Sequence, residues 1–140
     1  MPDLIVYTDG GARGNPGPAA IGVVIEDRAG KILKQMGEYM GETTNNQAEY
    51  EALVRALGEL KVMFGGQLRD LRVEVRMDSE LVVRQLEGKY KVKDPGLKQQ
   101  FAKVATLRLE AAPNMTFVHI PREKNFRADA LVNAALDARL

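Results

Sequence analysis

The chain has 140 residues, with no cysteine, one histidine and a formal net charge of +1. This length suits a single domain over residues 1–140 with one hydrophobic core, and the lack of cysteine excludes disulfides and thiolate metal sites. A single histidine cannot build a multi-histidine site, so a bound metal ion would need oxygen ligands, which favours Mg²⁺ with Mn²⁺ as the alternative.

The first third of the chain predicts three strands joined by short links. They are predicted at Leu4–Asp9, Ala19–Glu26 and Lys31–Met40. Between the first two, Gly10–Pro18 (GGARGNPGP) holds too many turn residues for a helix or a central strand. Asp27–Gly30 is predicted to form a tight turn, and such short links between strands favour an antiparallel meander.

The rest of the chain alternates helices with strands. Thr44 begins a long helix, with Gln47 three residues later in a capping-box pattern, and Gly65-Gly66 ends it. Further helices are predicted at Ser79–Leu86, at Gly96–Ala111 and from about Asn125 to the end, and further strands at Arg72–Asp78 and Met115–Ile120. Helical crossovers make the first, fourth and fifth strands parallel, and the second and third add an antiparallel edge. These elements predict an α/β fold with a mixed five-stranded sheet flanked by helices.

Four acidic residues occupy unusual positions in this pattern. Asp9 and Asp78 end strands, whereas Glu49 and Asp129 lie in the first turns of helices. Taken singly, each has a structural explanation, because aspartate opens turns and caps helices, and acidic groups complement helix dipoles. If the first and fourth strands are neighbours, however, Asp9 and Asp78 emerge side by side at the carboxyl ends of strands, where open α/β sheets bind ligands.

Carboxylates that lie close together repel one another, and each raises the pKa of the others. A bound divalent cation removes that cost. Two Mg²⁺ ions roughly 4 Å apart can activate a water and stabilise the leaving oxygen of a phosphodiester, without any protein nucleophile. The four acidic residues therefore favour a metal-dependent site.

The glycine-rich segment GGARGNPG is a separate candidate for phosphate binding. It lacks the Gly-Lys-Ser/Thr ending of a phosphate loop and does not lead into a helix, so it is neither a Walker loop nor a dinucleotide fingerprint. A turn between strands explains it structurally. The exposed amides at Gly10 and Gly11, together with Asn15, are additional candidates for contact with a nucleic-acid backbone.

Four segments of the chain resemble the ribonuclease HI family. YTDGGARGNPGPAAIGVVI resembles the first hairpin of that family, and TNNQAEYEAL, MDSELVVRQL and PREKNFRADALVNAAL resemble its second, third and fourth acidic segments. The four segments occur in the family's order and span nearly the whole chain. The resemblance implies a ribonuclease H-like fold with strand order 3-2-1-4-5, which agrees with the topology predicted above.

The resemblance also implies catalytic and metal-binding roles for four carboxylates. Asp9 would bridge two ions, Glu49 and Asp78 would complete one coordination shell, and Asp129 would join the other. Glu49 would also lie near the 2′-hydroxyl of the cleaved RNA strand.

The segment before Glu49 resembles the family's substrate-binding residues. Asn45 and Asn46 match positions that contact the hybrid in its minor groove, where neutral amides can bond to sugar hydroxyls and base edges. Gln47 continues this segment as a further substrate-binding candidate. Helix capping is the alternative role for the two asparagines.

Several features depart from the better-known bacterial members of the family. Many of those carry a flexible histidine before the last aspartate, where this chain has Arg122, as in a subgroup that lacks the family's basic handle. Arg122 is a candidate for contacting a phosphate or assisting product release, with a plain surface arginine as the alternative. His119 falls in a strand pattern, which favours a structural role over a catalytic one. The nearest substitute for the handle is a set of lysines, with a solvated loop as the alternative: Lys89, Lys91, Lys93, Lys98 and Lys103. Glu80 stands where some members carry glutamine.

The resemblance implies an endonuclease that hydrolyses the RNA strand of RNA–DNA hybrids and leaves 5′-phosphate and 3′-hydroxyl products. Two Mg²⁺ ions would occupy the site when substrate is bound. A same-fold nuclease with a broader substrate range, double-stranded RNA above all, and a non-catalytic hybrid-binding module are the alternatives. Because the net charge of +1 gives little support to polyanion binding, such binding must depend on local patches. No apolar run reaches membrane-spanning length and no signal peptide is evident, so we expect no membrane partner. The absence of cysteine fits a reducing cytosol, and we expect a cytoplasmic protein that is a monomer.

Overall fold

A computed structural model describes residues 1–139, in which strands and helices follow the predicted order. The strands are β1 (Leu4–Ala12), β2 (Gly17–Asp27), β3 (Ile32–Thr43), β4 (Val73–Met77) and β5 (Met115–His119). The α-helices are α1 (Asn45–Phe64), α2 (Glu80–Leu86), α3 (Pro95–Ala111) and α4 (Phe126–Asp137). Two 3₁₀ helices, Gly65–Asp70 and Arg122–Lys124, were not among the predicted elements. No helix within residues 1–139 is both long enough and apolar enough to cross a membrane.

The sheet has the predicted strand order, β3-β2-β1-β4-β5. β1 pairs antiparallel with β2, and β2 pairs antiparallel with β3. β4 lies parallel to β1, with Val6 opposite Val75, and β5 lies parallel to β4. The α/β fold with a mixed five-stranded sheet is therefore confirmed, and the parallel part of the sheet lies next to the antiparallel part at β1.

Several predicted boundaries were wrong at the glycine-rich turn and near the carboxyl terminus. Gly10–Ala12 and Gly17–Pro18 belong to β1 and β2, because the antiparallel ladder continues to the pair Ala12 and Ala19 and holds these residues extended. The true turn is therefore residues 13–16. The last helix ends at Asp137, and the predicted continuation to Leu140 falls partly outside the described residues.

Helices cover the two faces of the sheet differently. In β1, Leu4 and Val6 point into the main hydrophobic core, which α1 and α3 help to enclose. A smaller cluster on the other face joins Ala20 of β2 to Val132 and Leu136 of α4. α1 and α4 therefore approach β1 from opposite faces, as the alternation of side chains along a strand requires.

α4 lies unusually close to the sheet because two glycines stand beneath it. Gly22 is paired with Gly37 across β2 and β3, and Asp9 is the partner of Gly22 on the β1 side. A Cβ atom at Gly22 would lie 2.3 Å from the carbonyl oxygen of Ala128, and one at Gly37 would lie 2.6 Å from that of Leu131. The helix backbone therefore rests directly on the sheet. This contact fixes the distance between the sheet and Asp129, the residue after Ala128.

We expect Gly22→Ala to destabilise the protein by about 1–3 kcal/mol, because the added methyl group must push the α4 backbone away from the sheet. The free energy of unfolding, measured by urea denaturation, tests this. Gly58→Ala is the matched control: a Cβ atom there meets no atom within 4 Å, and alanine in a helix interior stabilises by up to about 1 kcal/mol. Equal stability of Gly22→Ala and the parent protein would contradict the close-packing argument.

Candidate active site

Three carboxylates converge where β1 and β4 end. Asp9 lies near the end of β1, Asp78 directly follows β4, and Glu49 lies in the first turns of α1. One oxygen atom from each of the three side chains lies within 4.8 Å of those of the other two. The parallel pairing of β1 with β4 is the cause, because it brings the carboxyl ends of both strands to the same edge of the sheet.

Asp129 borders the same cleft from α4. It is half-buried, its backbone N–H donates to the carbonyl oxygen of Asn125 (3.1 Å), and its side chain accepts a hydrogen bond from the Asn133 amide (3.4 Å). Asp129 is not part of the close group of three oxygens. All four predicted carboxylates nevertheless line one open cleft of about 320 Å³.

Glu49 reaches the cluster because Gly10 leaves room for the start of α1. A Cβ atom at Gly10 would lie 2.3 Å from the carbonyl carbon of Ala48 and 2.5 Å from the Glu49 nitrogen. The Gly10 N–H donates to Glu49 Oε1 at 3.1 Å. Glu49 Oε2 is buried and has no hydrogen-bond partner among residues 1–139. The strand thus orients one carboxylate oxygen of Glu49 and leaves the other for the site.

The electrostatics of the cluster disfavour its charged form. Burial, with the nearby Asp78 charge adding to it, raises the pKa of Asp9 to about 7. Burial and then the Asp9 charge raise the pKa of Glu49 well above its ordinary value. Burial also raises the pKa of Asp78, although the Asn125 amide and the Arg122 charge act in the opposite direction. Nearby positive charge is too weak to balance the two buried acids and the partly buried Asp78.

The donor set suits a hard divalent cation. Its three converging ligand atoms are all carboxylate oxygens, and no histidine or cysteine belongs to the group. Such oxygens are the preferred ligands of Mg²⁺ and Mn²⁺. A cation would supply the missing partner of the buried Glu49 Oε2 and relieve the repulsion that raises the three pKa values. The residues present therefore fit a divalent metal ion.

The predicted substrate-binding residues divide into two groups. The cleft is lined by Gly10, Gly11, Asn45 and Asn46. Asn15 and Gln47 are not among its lining residues.

Asn15 and Asn45 instead tie the β1–β2 turn to α1. Asn15 Oδ1 accepts a hydrogen bond from the Asn45 N–H (2.9 Å), and Asn45 Oδ1 accepts one from the Ala12 N–H (2.8 Å). The Gln47 side chain lies against α3, where its amide nitrogen would be 2.7 Å from a Cβ atom at Gly96. The capping group of α1 is Thr44, whose hydroxyl accepts from the Gln47 N–H. Asn45 and Asn46 therefore do not serve as its side-chain cap.

Arg122 and His119 lie in different places. Arg122 is exposed in a 3₁₀ helix and lines the cleft together with Asp78 and Asp129. His119 ends β5 and lines a separate groove beside Glu80 and Phe117. Arg122 thus lines the carboxylate cleft, whereas His119 lies in the neighbouring groove, opposite Met77 and near enough for its charge to act on Asp78.

Asn125 is the residue near the cluster that the sequence did not single out. It is buried, and its side-chain amide donates to the carbonyl oxygen of Thr8 (2.9 Å) and, over 3.4 Å, to Asp78 Oδ2. Because asparagine is common where helices begin, the sequence indicated a helix start at this position. Its place within the fourth acidic segment, four residues before Asp129, was the available signal.

The chain is similar to known proteins over nearly its full length. A Reverse transcriptase-like family model matches residues 7–135, a range that includes all four carboxylates. A ribonuclease HI of Halobacterium salinarum is 44% identical over 131 residues, which cover 94% of this chain and 63% of that protein. A bifunctional protein of Mycobacterium tuberculosis is 36% identical over 137 residues, covering 96% of this chain and 36% of that protein. The chain therefore spans less than two thirds of the length of these two relatives.

Solved structures show the same likeness. The structure of LC11-RNase H1, isolated from compost by a metagenomic approach, is 65% identical and matches with a TM-score of 0.93 over 98% of this chain and 97% of that chain. LC11-RNase H1 in complex with an RNA/DNA hybrid matches with a TM-score of 0.92 at 65% identity, over 96% of each chain. The sheet order and the surrounding helices therefore occur in close relatives.

The raised pKa of Asp9 predicts a specific pH dependence of stability in the metal-free protein. Since the folded state binds this proton more tightly than the unfolded state, the stabilising contribution is full below about pH 4 and is lost as the pH rises through about 7. Asp9→Asn removes the group. We therefore expect the thermal midpoint of the variant in EDTA to exceed that of the parent protein at pH 7.5, by a margin that shrinks towards pH 4.

Circular dichroism melts from pH 4 to pH 8 measure this difference. Asp70→Asn is the matched control, because Asp70 is exposed and lies outside the cleft. Its difference from the parent protein should be small and independent of pH. If the thermal midpoints of Asp9→Asn and the parent protein differ by the same amount at every pH, the Asp9 carboxyl does not have the raised pKa on which this prediction depends.

Proposed function

The chain belongs to the ribonuclease HI family, and we propose that it is a metal-dependent endonuclease that hydrolyses the RNA strand of RNA–DNA hybrids. The observation that carries the proposal is the convergence of Asp9, Glu49 and Asp78 in an open cleft that Asp129 also lines. LC11-RNase H1, whose structure was solved with an RNA/DNA hybrid, supports the substrate class. The products would be a 5′-phosphate and a 3′-hydroxyl.

The four carboxylates would hold Mg²⁺, two ions when substrate is bound, with Mn²⁺ as the alternative. When bound, such ions would supply the positive charge needed to activate a water for in-line attack on the phosphodiester and to stabilise its leaving oxygen. The chain's own contribution is to keep the ligands oriented. Gly10 fixes one oxygen of Glu49, and the ends of β1 and β4 fix the backbone at Asp9 and after Met77.

Substrate selection would depend on neutral amides at the cleft. Asn45 and Asn46 line it beside Glu49, and amides can both donate to and accept from a 2′-hydroxyl, the group that distinguishes RNA from DNA. Because Asn45 Oδ1 is occupied by the Ala12 N–H, its amide nitrogen is the atom available to substrate. Asn15 and Gln47 would act indirectly, by holding the turn and α3 against the start of α1.

Arg122 would bind a phosphate near the scissile bond. Its exposed guanidinium borders the cleft on the side of Asp78 and Asp129. Guanidinium groups bind phosphate oxygens with two parallel hydrogen bonds. His119 is not among the residues that line this cleft, and we propose no catalytic role for it. We further propose that the protein acts as a monomer in the cytoplasm.

The principal test is cleavage of end-labelled RNA–DNA hybrid, RNA duplex and DNA duplex of one sequence, with Mg²⁺, with Mn²⁺ and with EDTA. We expect cutting of the RNA strand of the hybrid with either metal and none with EDTA. Asp78→Asn should reduce cleavage below detection, because it removes one metal ligand. Asp70→Asn, which changes an exposed aspartate outside the cleft, should leave the rate within about twofold of the parent rate.

The same assay separates the alternatives. Cleavage of the RNA duplex in addition to the hybrid would establish the broader substrate range. Tight hybrid binding without any cleavage, by folded protein with either metal, would make the chain a binding module and end the nuclease proposal. Cleavage that survives Asp78→Asn would indicate a contaminating nuclease or a different site.

Arg122→Ala should lower kcat/KM for the hybrid roughly tenfold or more, because a charge-assisted hydrogen bond contributes about 1.5–3 kcal/mol. Arg122→Lys keeps the charge but loses the planar guanidinium, so its kcat/KM should lie between those of the parent protein and Arg122→Ala. His119→Ala, in the separate groove, should stay within about twofold of the parent protein. A larger loss for His119→Ala than for Arg122→Ala would reverse these assignments, and steady-state kinetics at fixed Mg²⁺ decides between them.

A further inference from the structure

Asn125 touches three of the elements that carry the carboxylates. Its side-chain Nδ2 donates to the carbonyl oxygen of Thr8, the residue before Asp9, at 2.9 Å. The same nitrogen lies 3.4 Å from Asp78 Oδ2. Its backbone carbonyl oxygen accepts from the Asp129 N–H at 3.1 Å. One residue is thus joined to β1, to the end of β4 and to α4.

The side chain of Asn125 does not perform the usual role of its position. It stands at the N-cap of α4, where an asparagine oxygen commonly accepts from a helix N–H. Here no such side-chain bond is made. The side chain turns inward instead and is only 1% exposed. Helix capping therefore does not account for the residue, and its hydrogen bonds to Thr8 and Asp78 do.

An amide is well suited to this position on chemical grounds. A primary amide has two N–H donors, so one nitrogen can bond to a carbonyl and to a carboxylate at once. An aspartate would place a further negative oxygen against both acceptors. A side chain without a donor would remove the hydrogen bond to the buried Thr8 carbonyl and the longer one to the Asp78 carboxylate.

We propose that Asn125 is a positioning residue that holds Asp78 beside Asp9, and fixes the start of α4 that carries Asp129, in the geometry that binds the metal ion. The inference rests on the proposed function, since it assigns these carboxylates to a metal site. Partners of this kind, one step away from the metal, commonly change metal affinity or activity about tenfold to hundredfold when they are removed. Asn125 is buried beneath the cleft and is not among its lining residues, so it does not meet substrate directly.

The test compares the parent protein with Asn125→Ala, Asn125→Asp and Asn114→Ala. Mn²⁺ binding is measured without nucleic acid, by electron paramagnetic resonance of the free ion, and kcat and KM are measured on the hybrid. Asn125→Ala should weaken Mn²⁺ binding and lower kcat about tenfold to hundredfold, with KM for the hybrid within about twofold of the parent value. Asn125→Asp keeps the size of the side chain but replaces the donor nitrogen by oxygen, so its kcat should also fall about tenfold or more.

Asn114→Ala is the control for the loss of a side-chain amide bond to a backbone carbonyl at an exposed position elsewhere. Asn114 Nδ2 donates to the carbonyl oxygen of Arg69 at 3.0 Å, and neither residue lines the cleft. This variant should lose stability without any change in Mn²⁺ affinity or kcat. Circular dichroism at the assay temperature establishes that each variant is folded.

The outcomes separate the two proposals. Folded Asn125→Ala with Mn²⁺ affinity and kcat within twofold of the parent protein would overturn the positioning role. If Asn125→Ala does not fold, Asn125→Asp, which conserves the size of the side chain, takes its place. A kcat of Asn125→Asp within twofold of the parent value would then overturn the positioning role. If the parent protein binds Mn²⁺ but cuts no hybrid, the proposed function fails, whereas the Mn²⁺ affinities still test the role of Asn125.

Discussion

The parallel ladder between β1 and β4 is the constraint on which the rest of the site depends. It runs from the pair Leu4 and Val73 to the pair Tyr7 and Arg76. Because both strands point the same way, the residues that follow this ladder lie at one edge of the parallel part of the sheet. Two of them are Asp9, which is still within β1, and Asp78, which directly follows β4. A parallel connection needs a long crossover, which α1 provides, and the start of that helix brings Glu49 to the same edge. The topology thus holds the Asp9, Glu49 and Asp78 carboxylates close together despite their mutual repulsion.

Holding these charges together requires close packing of the helices against the sheet. α1 reaches Asp9 across Gly10, and α4 reaches it across Gly22, which is paired with Asp9 in the sheet. At both points a Cβ atom would collide with the helix backbone. The glycines therefore determine how near Glu49 and Asp129 come to the strand ends. The same closeness buries Asp9 and Glu49 and raises their pKa values, so the geometry that builds the site also destabilises it until a cation is bound.

Periodicity and short links predicted the element order, and the resemblance to ribonuclease HI implied the strand order. With the first and fourth strands as neighbours, the convergence of Asp9 with Asp78 followed, because parallel crossovers align strand ends. The sequence did not predict that β1 continues through Gly10–Ala12. Local glycine content indicates a turn, whereas the antiparallel ladder with β2 imposes an extended chain on the same residues. Nor did the sequence indicate that the Gln47 side chain packs on Gly96 of α3, a residue 49 positions away along the chain. Such long-range contacts have no local signature.

The chemistry of the groups around the carboxylates follows from what a metal site can tolerate. A lysine bonded directly to Asp78 would neutralise that carboxylate permanently and compete with a cation for its oxygens. The chain instead places a neutral amide, Asn125, beneath the cluster and an exposed guanidinium, Arg122, at its border. The amide can orient a ligand without cancelling its charge, and the guanidinium can meet a phosphate without entering the coordination sphere. In a protein with a net charge of only +1, affinity for a polyanion therefore depends on which positive side chains lie at the cleft. The negative charge of the carboxylate cluster remains available for the metal ion.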